Sequence, residues 1–124
     1  VGIYIASKSR HASKWLALRN AGQPVISTWI DEAGEGETSD WCDLWGRCIS
    51  EASSASGLLL YGEPGEELHG ALIEAGAALA ANVPVALVGP CHGFKRARYH
   101  QSVVGEFATV EQALAALGVE EGRA

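Results

Sequence analysis

Two patterns of hydrophobic and polar positions alternate along this chain: short apolar runs, and longer stretches in which apolar residues return every three or four positions. Residues 1–6 form the first short run and predict a strand. A polar turn over 7–10 leads into 11–20, where Trp15, Leu16 and Leu18 predict a helix that Gly22 ends. Residues 23–30, rich in Val, Ile, Thr and Trp, predict a second strand, and the acidic, glycine-containing stretch 31–38 predicts a loop. Ser39 and Asp40 then mark a helix start. Trp41, Leu44, Trp45, Cys48 and Ile49 fall along one face of that helix, which runs to about residue 53.

Residues 57–61 are a continuous apolar run of the kind that forms a central parallel strand, closed by a turn at 62–65. A dense Ala and Leu pattern predicts a helix over 66–82, and 83–88 a further buried strand. A short strand at 102–107, a helix at 110–117 and a frayed tail from Glu120 complete the reading. Strands that alternate with helices predict a three-layer, flavodoxin- or Rossmann-like α/β fold with a parallel sheet of four or five strands and helices on both faces. Ligands of such sheets bind beyond the carboxyl ends of the strands, which directs attention to the loops after residues 5, 30, 61 and 88.

Length and composition narrow this picture. A chain of 124 residues predicts one domain over 1–124, and 48% apolar with 19% charged residues is ordinary for a soluble protein. No apolar run reaches the roughly 18 residues of a membrane span, and residues 1–5 read as a strand rather than a leader, which predicts a cytoplasmic protein. Cys42, Cys48 and Cys91 are odd in number and match no zinc ligand spacing, so they are expected as thiols. A formal charge of −6 speaks against a nucleic-acid polymer as partner and for a small ligand.

The most informative local feature is Glu74, a carboxylate on a helix otherwise made of Ala, Gly, Leu and Ile, just after the loop that follows the 57–61 strand. Two readings stand side by side. Glu74 is a solvent-facing or core-edge carboxylate, or it is a nucleophile or general base. The small residues around it, Gly70, Ala71, Ala75, Gly76, Ala77 and Ala78, permit close approach of a substrate and equally a close helix contact.

Ile3-Tyr4-Ile5-Ala6-Ser7, Gly57-Leu58-Leu59-Leu60-Tyr61, Gly70-Ala71-Leu72-Ile73-Glu74-Ala75-Gly76-Ala77 and Asn82-Val83-Pro84-Val85 follow one another in a consistent order. In these motifs residues 1–88 resemble the nucleoside 2-deoxyribosyltransferase family, including its nucleotide N-glycosidase relatives. The resemblance implies cleavage or transfer at an N-glycosidic bond, with Glu74 attacking the anomeric carbon and Tyr4 steering the carboxylate. A fixed anion beside that carbon stabilises the positive charge of the transition state and supplies the covalent partner, as in retaining glycosidases. Tyr4 has an alternative role in core packing.

Asp43 is the candidate for assisting the leaving base, although the family's usual interval before Glu74 falls near Cys48 with Arg47 beside it, and Asp40 or Asp31 could substitute. Leu68 stands where family members carry an aspartate or a phosphate-binding serine. The substrate-binding candidates are Ser7, Arg10, Trp29, His69 and Gly70. Arg10 belongs to a basic cluster with Lys8 and Lys14, and a second cluster joins Lys95, Arg96 and Arg98; either is suited to a phosphate or is a solvated loop. Trp29, Trp41 and Trp45 offer rings for stacking on a base or for burial. The acidic loop lacks the ligand order of a calcium hand. No metal or cofactor is implied. The expected partner is a nucleoside or nucleotide, with a homodimer or higher homo-oligomer implied by the family's shared active sites. The competing expectation is a non-catalytic nucleotide-binding or sensing module on the same fold, or a structural partner protein assembled through its Ala-rich helix.

Overall fold

The computed structural model describes residues 2–33 and 40–119. Most of the acidic loop, Ser39 and the tail from Glu120 lie outside them. Four strands, β1 (Ile3–Ala6), β2 (Gly57–Tyr61), β3 (Val85–Val88) and β4 (Val103–Phe107), form one parallel sheet in the order β1-β2-β3-β4. Every residue of β1, at one end of the sheet, and of β3, inside it, is buried, as apolar runs require of strands covered on both faces.

Strand alternation sorts the helices α1 (Ala12–Asn20), α2 (Trp41–Ser54), α3 (Gly70–Ala80) and α4 (Val110–Ala116) between the two faces. Tyr4 points to the side where α2 and α3 pack on each other, with its hydroxyl toward Cys48 and Glu74. Ile3 lies on the other side, where a Cβ at Gly57 would meet both it and Leu117 just after α4. On that second face Trp15 of α1 meets the Tyr61 ring edge-on at 5.0 Å between centroids. The fold is the three-layer α/β arrangement that the pattern predicts.

One element differs. Residues 23–30 do not form the expected second strand; Val25 makes an isolated parallel bridge to Ile3, held by Ile3 N–H to the Pro24 carbonyl at 2.8 Å and Ile26 N–H to the Ile3 carbonyl at 3.0 Å. Beyond that bridge, side chains replace the ladder. The Ser27 hydroxyl accepts from the Ile5 N–H at 2.6 Å, and the Trp29 indole N–H donates to the Ile5 carbonyl at 2.9 Å. With both Ile5 groups satisfied in this way, the chain turns off into a 3₁₀ turn, Thr28–Asp31. The β-branched and aromatic residues that signalled a strand serve packing and capping, so the ladder has four strands.

The helix predicted over 66–82 is also shorter, because Glu66 turns inward to the loop after β2 and α3 starts only at Gly70. Its other end closes at Asn82, in the left-handed region at φ 59, with the Val83 N–H returning to the Ala78 carbonyl at 2.9 Å. Asp40 caps α2 as expected, its carboxylate accepting from the Asp43 N–H at 2.9 Å.

The ends of β2 and β3 approach too closely for a side chain at Gly89. At φ +82 a Cβ there would lie 1.8 Å from the Gly62 carbonyl oxygen. Gly89→Ala is therefore expected to cost at least about 2 kcal/mol of stability, read as a lowered urea midpoint at unchanged slope. A midpoint equal to the parent's would show that the two loops are not packed in this way.

Candidate active site

The loop after β1, the turn that carries Trp29, and the start of α3 converge at the carboxyl edge of the sheet. Ser7, Lys8, Ser9, Trp29, Trp45, Leu68, His69, Gly70, Ala71 and Glu74 enclose a cavity of ≈ 200 Å³ there. Gly70 and Glu74 are one helical turn apart and share a face of α3, which is why both reach the same space. Trp45 of α2 lies across Gly70, where a Cβ would meet the ring at 3.1 Å, so a glycine is what lets the indole form a wall.

The fixed polar groups of this wall are already spoken for. The Ser7 hydroxyl accepts from the Trp15 indole at 2.7 Å and donates to the Lys8 carbonyl at 3.0 Å. The Trp29 indole N–H is committed to Ile5. Trp29 therefore offers its ring rather than its donor. Leu68 is buried beneath the loop, in contact distance of Gly62, and closes the floor with an apolar surface. The N-terminus of α3 faces the cavity without a side-chain cap.

Glu74 is 8% exposed. Burial raises its carboxyl from 4.5 to about 7; the Tyr4 hydroxyl and the Cys48 thiol oppose that rise, and Glu51 adds to it. The group thus changes charge near neutral pH, as expected of a carboxylate that has to be ionised to act and is held in an apolar setting. Tyr4 is wholly buried, and burial pushes its hydroxyl far above the ordinary range, the Glu74 charge adding to the effect. Among the described residues the Tyr4 hydroxyl completes no hydrogen bond of full geometry. Its polar valence is directed at Glu74 and Cys48.

The structure brings Ser7, Trp29, His69, Gly70 and Glu74 to one cavity with Tyr4 beneath it. It does not bring Arg10 or Asp43 there. Arg10 is paired with Glu66, Nε at 2.8 Å and Nη2 at 2.5 Å from the same carboxylate oxygen, and His11 reaches that oxygen at 2.7 Å. The other Glu66 oxygen accepts from the Glu63 N–H at 2.8 Å. Burial acts against the Glu66 charge, but these donors outweigh it and lower the carboxyl to about 2. His11, Glu63 and Glu66 have the spacing of a metal ligand set. The Arg10 guanidinium already neutralises Glu66, which leaves that carboxylate a structural anion.

Asp43 lies on the outer side of α2, with its carboxylate 2.9 Å from the Arg47 Nε one helical turn on. Arg47 also joins Thr28 at 2.7 Å and Glu32 at 2.5 Å, so it ties α2 to the Trp29 turn. The second basic cluster falls elsewhere: Lys95 and Arg98 border a different cavity, of ≈ 350 Å³, with Cys91, Phe94 and Glu106. Of the first basic cluster only Lys8 lines the cavity, which Ser9 joins without having stood out in the sequence, and Cys48 is packed against Tyr4 and Glu74 outside the cavity lining. The signal for Cys48 was present, since it lies on the apolar face of α2 four residues after Leu44.

Fold and site together define a parallel α/β protein with a buried, near-neutral glutamate in an indole-walled cavity at the sheet's carboxyl edge. Among solved structures the chain is similar to the 2-deoxyribosyltransferase of the psychrotolerant bacterium Bacillus psychrosaccharolyticus, described as a biocatalyst for the synthesis of antiviral and antitumoral nucleosides. The TM-score is 0.67 at 20% identity, over 97% of this chain and 98% of that chain, a likeness of fold. No family model and no curated protein sequence matches the chain. No helix among the described residues is long and apolar enough to cross a membrane.

Proposed function

We propose that this protein cleaves or transfers at the N-glycosidic bond of a nucleoside or nucleotide, with Glu74 as the nucleophile. One observation carries the reading: a buried glutamate that ionises near neutrality opens onto a cavity walled by two indole rings at the ligand edge of a parallel sheet. The likeness of fold to a 2-deoxyribosyltransferase supports the same reaction class. In this mechanism the ionised Glu74 attacks the anomeric carbon as the bond to the base breaks, the base leaves with the bonding pair and takes a proton from water, and a second base or water then displaces the Glu74 carboxylate from the sugar. Tyr4, buried beside Glu74, is assigned the steering of that carboxylate. Trp29 and Trp45 supply flat apolar surface for the base, and His69 and Gly70 line the entrance to α3.

Asp43 has no part in this scheme, because it faces Arg47 outside the cavity. Asp43→Asn is expected to leave base release within about twofold, whereas Glu74→Ala removes it. The assay is detection of free base from a panel of nucleosides and nucleotides. Full turnover by the Glu74→Ala protein would end the proposal.

A second reading, a non-catalytic nucleotide-binding or sensing module, is favoured by Leu68, whose buried apolar side chain closes the floor where a substrate-reading polar group would sit. Calorimetry separates the two: tight binding of a nucleotide without base release selects the module. Self-association belongs to the same proposal. Trp41 and Ile73 expose apolar surface on the α2 and α3 side. A homodimer by light scattering is the expected state, and a monomer at micromolar concentration removes it.

A further inference from the structure

The two indole walls of the cavity stand on very different supports. Trp45 belongs to α2, a helix of 14 residues, whereas Trp29 belongs to the 3₁₀ turn Thr28–Asp31, four residues long and without a side-chain cap. The bonds of Ser27 and Trp29 to Ile5 refer that turn to β1. Thr28, the residue before Trp29, refers it to α2. Its N–H donates to one oxygen of Glu51 at 3.1 Å, its hydroxyl donates to the other at 2.7 Å, and the same hydroxyl accepts from Arg47 Nη1 at 2.7 Å. A neutral hydroxyl between a carboxylate and a guanidinium makes two charge-assisted bonds, the stronger kind. Arg47 and Glu51 are one helical turn apart on α2, with Trp45 two residues before Arg47. Arg47 extends the link to Glu32, just past the turn, at 2.5 Å.

Resting on the cavity as the place where the base stacks, we propose that Thr28, Glu51 and Arg47 are positioning residues: as a clamp between the 3₁₀ turn and α2 they fix the Trp29 ring relative to Trp45, and through it the affinity for a planar heteroaromatic ring. Stacking needs contact along a whole face, and a wall displaced by roughly 0.5–1 Å forfeits about a quarter to a half of the attraction of each contact. The clamp keeps that distance because all three of its bonds meet at one residue, directly before the indole they locate.

The test uses Thr28, since Glu51 also acts on the Glu74 charge. Thr28→Val keeps the side-chain shape and removes the hydroxyl, and Thr28→Ser keeps the hydroxyl. In the base-release assay Thr28→Val is expected to raise KM by about tenfold with kcat changed by less than about threefold, and Thr28→Ser to bring KM back to within about twofold of the parent. A fall in kcat at unchanged KM, or no change in either, overturns the proposal. The wall itself is read without substrate, by NMR hydrogen exchange of the indole N–H groups. In Thr28→Val the Trp29 N–H is expected to exchange at least about tenfold faster, while the Trp15 N–H, bonded to Ser7, keeps its rate. Acceleration of both alike, or of neither, overturns the proposal. The parent protein provides a reading that needs no variant to fold: its Thr28 amide is expected to be protected from exchange, and a Thr28 amide that exchanges as in an open chain overturns the clamp. Exchange and turnover fail separately. A protected Thr28 without base release keeps the clamp and removes the glycosidic reading, and base release from a protein whose Thr28 amide is unprotected does the reverse.

Discussion

Glu74→Gln is expected to abolish base release and to make the fold more stable above neutral pH. The two effects have one origin. In the unfolded chain the carboxyl loses its proton near 4.5, but in the fold burial holds the proton to about 7. A group whose folded value is raised gives its full stabilisation below 4.5 and loses it as the pH rises through about 7. The displacement corresponds to about 3 kcal/mol of stability lost between those two limits. Glutamine carries no charge to bury. Urea denaturation at pH 4.5 and pH 9 should therefore show an advantage for Glu74→Gln that grows by about 3 kcal/mol toward the alkaline end. An advantage that is the same at both would show that Glu74 titrates as it does in water.

The chemistry runs the opposite way. Only the ionised carboxylate attacks a sugar carbon, so parent turnover is expected to rise with pH through about 7. On the proposed mechanism, loss of Glu74 is expected to cost at least about 10³-fold in turnover. Under the proposed reaction the site gives up stability for reactivity.

The second large effect is expected at Glu66, a residue with no place in the reaction. Its carboxylate ties the loop after β2 to Arg10 and His11 in the loop after β1, and those two loops carry the opposing walls of the cavity. Glu66→Ala is expected to destabilise the protein by about 2–4 kcal/mol, since it leaves the Glu63 N–H and the half-buried His11 without their acceptor. Arg10→Ala should cost much less, because the Arg10 side chain is 65% exposed and water replaces part of what it loses. The folded Glu66 value is depressed, so its contribution is complete above 4.5 and disappears as the pH falls toward about 2. Thermal denaturation of the three proteins at pH 7 and pH 3 checks the order and the sign. An Arg10→Ala loss as large as that of Glu66→Ala would contradict it.

Arg10 shows where a sequence-level argument stops. A basic residue in a serine-containing turn after a strand is a reasonable phosphate ligand by local chemistry, and its partner 56 positions away is invisible to that argument. Glu66 in turn reads as the first turn of a long helix, because Glu is a good helix former and nothing nearby in the chain shows that its side chain is required elsewhere. Residues 23–30 failed for a similar reason. β-branched and aromatic residues suit a pleated surface, but whether Ile5 pairs with a main chain or with the Ser27 and Trp29 side chains is decided only when both segments are in place.

By itself the sequence determined the layer architecture, the helices on either side of the sheet and the helix that carries Glu74, because strand and helix periodicities are local and the apolar runs leave few ways to be buried. It also determined that Glu74 stands alone among small apolar neighbours on its helix. The tertiary structure decided what surrounds that carboxylate: Tyr4 and Cys48 beneath it, Trp29 and Trp45 around its cavity, and Arg10 and Asp43 drawn away to Glu66 and Arg47. Those assignments depend on distances between residues far apart in the chain, and on which of several possible partners satisfies a buried charge. Packing settles both, and periodicity carries no record of either.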